Sequence, residues 1–168
     1  MIGELSRIEN TILKKNGRSI SGITDDPECE EYLGYNFQID KLNIKFRKAK
    51  ITPKKSGQFV TLWKRNNKRK TEPFSMHDDL DFYMIATEQE HKFGFFLFPR
   101  HILSEKQILT TDGKEGKRGF RVYSDWDIPP NKQAEKTKAW QAGYFIDITY
   151  IENINHQKLH SIISTSHQ

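Results

Sequence analysis

The chain has 168 residues, 29% of them charged and 35% hydrophobic, with a formal charge of +5. That length suits one domain with one core, and a 12% share of aromatics, including 11 Phe, argues against disorder. The single cysteine, Cys29, excludes an internal disulfide and a Cys-based zinc site, while the lack of a long apolar run excludes a spanning helix of about 18 residues or more. The expectation is a cytoplasmic protein with an acidic partner and no membrane.

In chain order, Leu5, Ile8, Ile12 and Leu13 stand at helical spacing and predict an amphipathic helix over 3–14, not a secretion signal. A turn-rich stretch from Asn16 to Thr24 follows. Five acids then fall between Asp25 and Glu31, and Thr24 or Asp25 with Pro27 reads as the start of a short helix.

The stretch from Lys41 to Lys70 holds twelve Lys and Arg and no Asp or Glu. It also alternates like β-structure. Leu42, Ile44 and Phe46 predict a strand over 42–51 whose phase slips near Ala49, as at a bulge. A turn at Thr52–Gly57 leads to a strand over 58–64 that is apolar on both faces, as in a central strand. Residues 65–71 read as a basic loop. The segments 80–87 and 93–98 predict two buried strands joined as a hairpin. A helix over 101–109, a strand over 120–123 and a helix over 131–144 capped by Asn131 complete the order. Residues 151–168 read as a fraying tail to one domain over 1–150. The class is α+β, a mainly antiparallel β-meander flanked by helices.

Unbalanced base on a sheet former points to a phosphate-contacting surface. Its candidates are Arg47, Lys54, Lys55, Lys64 and Arg65, extended by Lys117, Arg118, Arg121, Lys132 and Lys136. Trp63 and Tyr123 are candidate base-stacking rings, or core. The competing reading is a solvated charged face. Asp78, Asp79 and Asp81 stand at the start of a buried strand. A carboxylate there needs a cation or an ion-pair partner. Glu90-His91-Lys92 spells E-x-K at a turn. Ser104 and Ser124 lack a Gly-x-Ser-x-Gly setting, and no glycine-rich phosphate loop is present.

Four blocks resemble the MepB family of small bacterial proteins: Phe46–Arg65 (FRKAKITPKKSGQFVTLWKR), Asp78–Ala86 (DDLDFYMIA), Phe93–Arg100 (FGFFLFPR) and Glu115–Gln141 (EGKRGFRVYSDWDIPPNKQAEKTKAWQ). The resemblance covers residues 27–146. It implies a restriction-endonuclease-like core of the PD-(D/E)XK type: a helix, a three-stranded antiparallel meander, a helix and a strand. On that pattern the 25–33 helix precedes a meander of 58–64, 80–87 and 93–98. Asp81 takes the place of the middle-strand Asp, and Phe98 stands where the third strand carries its acid. Asp81 and Glu31 (or Glu30) would hold Mg²⁺, with Arg100 or Lys50 stabilising the developing phosphorane. The expected function is therefore low-specificity nucleic-acid binding, DNA before RNA, around a degenerate nuclease-type metal site. The alternative is a non-enzymatic accessory protein that binds a phosphorylated small molecule or an acidic protein.

Overall fold

The computed structural model describes residues 2–26 and 34–165. The first helix, α1 (Gly3–Ile8), runs on through a π-helical turn (Glu9–Leu13) and a 3-10 turn (Lys14–Asn16). Gly17 ends it in the left-handed conformation, at φ 72°. Leu5, Ile8, Ile12 and Leu13 are fully buried, as their spacing predicts.

An antiparallel meander follows: β1 (Ile20–Asp25), β2 (Tyr35–Ile39) and β3 (Leu42–Lys48). The first two strands correct the expectation of a turn-rich stretch and then a helix. Thr24 and Asp25 pair with Asn36 and Tyr35 instead of opening a helix. Gly22, at φ 63°, sits where the β1–β2 register shifts; the bulge breaks the alternation that would have revealed the strand. The rest of the expected helix, with Cys29, Glu30 and Glu31, lies outside the described residues.

β3 pairs in parallel with β8 (Phe82–Gln89), Ile44 facing Phe82 and Phe46 facing Met84. β8 forms the expected hairpin with β9 (Lys92–Pro99). A short strand, β11 (Phe145–Asp147), pairs with β9 and completes a six-stranded sheet in the order β1-β2-β3-β8-β9-β11.

The remaining strands are separate. β4 (Lys50–Ile51), β5 (Gln58–Thr61) and β10 (Gly119–Val122) form a three-stranded antiparallel sheet in the order β10-β5-β4. β6 (Trp63–Arg65) and β7 (Thr71–Pro73) make a two-stranded ribbon from the end of the expected 58–64 strand and the two edges of the expected basic loop. The expected 42–51 strand is thus two strands in two sheets. Ala49, where the alternation slips, is where the chain leaves one sheet for the other; its N–H still bonds Ala86 O at 2.9 Å. The expected meander of 58–64, 80–87 and 93–98 does not form: β5 is central, but between β4 and β10 and not beside β8.

The six-stranded sheet buries both faces. Ile44, Phe46, Phe82, Met84, Phe95 and Leu97 pack with α1 and with α4 (His156–Ser164). Tyr83, Ile85, Phe96 and Phe98 pack with Val60, Phe120 and Val122 of the smaller sheet, Leu62 just after β5, Leu103 of α2 (Arg100–Glu105) and Trp140 of α3 (Lys132–Ala142). Asn131 caps α3 as expected, its Oδ1 accepting from Ala134 N at 2.8 Å. The stretch read as a fraying tail instead carries α4, with Leu159, Ile162 and Ile163 in the core. The class is α+β with mostly antiparallel sheets. Among the described residues no helix is long and apolar enough to cross a membrane.

Candidate nucleic-acid interface

The basic run divides at Ala49 into cations that point inward and cations that point outward. On β3, Ile44 and Phe46 face the first core, so Lys45 and Arg47 face the other side. Arg47 is fully buried. Its Nη2 donates to Asp26 Oδ2 at 2.6 Å and its Nη1 to Phe46 O at 3.0 Å. Lys45 Nζ donates to the same carboxylate oxygen at 3.2 Å and lies 5.0 Å from the centroid of Phe74. Burial would raise the Asp26 carboxyl, but the charges and hydrogen bonds of Arg47 and Lys45 hold it below its ordinary value. Arg47, expected among the phosphate contacts, is therefore a core ion-pair partner. Tyr83 faces the same cluster. Burial, with the charge of Asp78, pushes its phenol well above its usual range, and among the described residues its hydroxyl has no hydrogen-bond partner.

Lys64 is half-buried and held by Asp78 at 2.6 Å and Glu72 at 3.8 Å. Asp78 also accepts from Ser75 N at 2.7 Å, so both its oxygens are used. Asp81 Oδ2 accepts from Asn43 N at 2.8 Å, and Asp81 N donates to Asn43 O at 2.8 Å. The carboxylate thus closes the end of β3. Asp81 and Arg100 do come together, lining a cleft of about 270 Å³ with His101 and Ser104. Arg100 Nη1 bonds Asp78 O at 3.3 Å, and Ser104 Oγ is spent on Arg100 O at 2.9 Å. Phe98 is fully buried. Lys50 lies in the other sheet, opposite Phe59. Among the described residues no three His, Cys, Asp or Glu side chains converge as metal ligands. Asp26 holds two cations, and Asp78 and Asp81 each accept a backbone N–H; Glu31, the expected second metal ligand, lies outside the described residues.

The outward cations have a different setting. Val60, Phe120 and Val122 of the smaller sheet face the core, which leaves Phe59, Thr61 and Arg121 on its outer side. Lys50 pairs with Phe59, and Phe59 with Arg121. The three side chains form one row across β4, β5 and β10, with the Arg121 guanidinium carbon 5.9 Å from the Phe59 centroid. Gly119 makes room for the ring, since a Cβ there would lie 2.6 Å from Phe59 Cζ. Arg121 also fastens the β4–β5 turn, donating to Thr52 Oγ1 at 2.9 Å and Ser56 O at 3.2 Å. That turn carries Lys54 and Lys55, both exposed.

Lys117, two residues before β10, and Lys132 and Lys136 on α3 are exposed. Arg118 is tied to Thr71 and, at 3.3 Å, to Glu115. Arg65 lies over Trp63 at 5.4 Å, while Tyr123 is nearly buried. Sequence reasoning left Phe59 in the core. The signal that separates it is the alternation of Gln58, Val60 and Leu62 with Phe59, Thr61 and Trp63.

A family model described as MepB-like matches residues 26–147. The chain belongs to the MepB-like family. A crystal structure of MepB superposes with a TM-score of 0.77 at 33% identity, over 89% of this chain and 99% of that one. No curated protein matches the chain by sequence. The blocks that carried the family resemblance fall on the central strands of both sheets and on α3. Two of them, Phe46–Arg65 and Glu115–Gln141, meet at the row of Lys50, Phe59 and Arg121.

Proposed function

We propose that this MepB-like protein is a cytoplasmic nucleic-acid-binding protein that grips the phosphate backbone with low sequence specificity. The grip is the outer face of the β10-β5-β4 sheet and the turn beside it. The row of Lys50, Phe59 and Arg121 carries this reading: it sets an aromatic face between two cations, with Lys54 and Lys55 beyond one end of its strands and Lys117 beyond the other. Cations on a rigid sheet follow a polyanion, and a ring between them stacks on bases of any sequence. Lys132 and Lys136 extend the surface along α3, and Arg65 with Trp63 borders it.

The arrangement of the first 48 residues supports a nuclease-like core in a register earlier than the sequence expectation. A helix is followed by a three-stranded antiparallel meander, and its third strand pairs in parallel with a later one. On that third strand Asn43-Ile44-Lys45 stands where the resemblance implies (D/E)-x-K, with an amide in the carboxylate's place. Lys45 contacts Asp26, which precedes the second strand. With Asp81 closing β3 and Asn43 uncharged, the protein binds without cleaving by two-carboxylate chemistry.

A salt titration of DNA binding is the test. The slope of log affinity against log salt is expected to be on the order of 5 or more, from released counterions. A flat dependence, or no binding, removes the reading. An Mg²⁺ and Mn²⁺ nicking assay on wild type and Asp81→Asn tests the other half. Nicking by wild type that Asp81→Asn abolishes would restore the catalytic role of Asp81.

A further inference from the structure

Where β10 runs beside α3, the molecule has a groove of about 400 Å³. Lys106 and Lys117 are its exposed cations, Asn131, Gln133 and Thr137 supply amide and hydroxyl groups, and Trp140 lies in its wall. No Asp or Glu is among its lining residues. Trp140 is held in place by Phe98, with ring centroids 5.5 Å apart, and Lys106 Nζ sits 5.7 Å from its centroid. Gln141, fully buried, fixes the wall: its Nε2 donates to Arg121 O at 3.0 Å and its Oε1 accepts from Tyr123 N at 2.8 Å. Those two bonds hold the edge strand to α3. Arg121 belongs to both the groove and the outer row, so the two surfaces are continuous.

An anchored indole, two lysines without a balancing acid and three neutral polar groups match one ligand chemistry, a flat heteroaromatic ring bearing a phosphate. The volume falls in the range of small-molecule sites, roughly 300–1,000 Å³. We propose that this groove holds a single unpaired nucleotide, its base toward Trp140 and its phosphate between Lys106 and Lys117. The inference rests on the nucleic-acid reading for its favoured source, the unpaired end of a strand lying along the outer row. A free mononucleotide carries the same chemistry.

The test titrates the full-length protein with a nucleoside 5′-monophosphate, a short single-stranded oligonucleotide, a blunt duplex and inorganic phosphate, following tryptophan fluorescence. Of the three tryptophans, Trp140 is identified by loss of the signal in Trp140→Phe. Quenching is expected with the oligonucleotide and, more weakly, with the monophosphate. Lys106→Glu and Lys117→Glu are each expected to weaken both about tenfold, since a charge-assisted hydrogen bond is lost. Both lysines are exposed, and circular dichroism checks that the variants fold. Duplex binding without any Trp140 response to the unpaired ligands would overturn the groove and leave the backbone reading intact. Monophosphate binding with no affinity for any oligonucleotide would do the opposite. Phosphate competing as well as the monophosphate would overturn the base contact.

Discussion

Lys45 and Arg47 on β3 and Lys54 and Lys55 in the β4–β5 turn come from one basic run, yet the fold puts them to opposite uses. The first pair is buried and shares one carboxylate oxygen of Asp26. The second is exposed on a turn that Arg121 fastens from below. Charge in a sequence therefore does not mark a binding surface. The pleat, and what covers each face, decides whether a cation meets a partner or becomes part of the core.

The comparison breaks most sharply at Arg47. Arg47→Ala leaves Asp26 short of its closest partner and is expected to cost about 3–5 kcal/mol of stability in denaturant unfolding, with DNA affinity of the folded protein unchanged. If the variant is stable and binds DNA poorly, the inward and outward assignments are reversed. The same ion pair sets a pH dependence. The Asp26 carboxyl is lowered in the folded state, so its contribution is present above its ordinary value of 3.8 and is lost as pH falls below it. Urea midpoints should drop more steeply with acid in wild type than in Asp26→Asn; equal slopes would mean the pair is not linked to folding.

On the outer face the effects are on binding. Phe59→Ala is expected to weaken single-stranded DNA by about 1–3 kcal/mol, the scale of a lost stacking contact, while unfolding shifts little because the ring is half-exposed. Smallest is the paired change Lys54→Glu with Lys55→Glu, which should lower the salt slope by about one for each lysine and weaken all sequences alike. A sequence-dependent loss would mean that the turn reads bases.

Elements whose partners are near in sequence were legible. The β8–β9 hairpin, the Asn131 cap of α3 and the apolar stripe of α1 follow from local periodicity and turn chemistry. β1 was hidden by the bulge at Gly22, and β11 by its three-residue length. Asp81 at the entry to β8 was legible as a residue needing a partner. That the partner is the backbone of Asn43 was not, because the two lie 38 residues apart.

By itself the sequence determined the apolar stripe of α1, the helices α2 and α3, the hairpin of the large sheet and an unbalanced basic run in a sheet former, because each depends on the period of neighbouring side chains. Tertiary structure alone decided that the run splits at Ala49, that β3 lies parallel to β8, and that Arg47 is enclosed while Lys54 and Lys55 stay in solvent. Those outcomes depend on which distant strand covers each face. A run of like charges carries no information about that choice until Asp26 has folded against it.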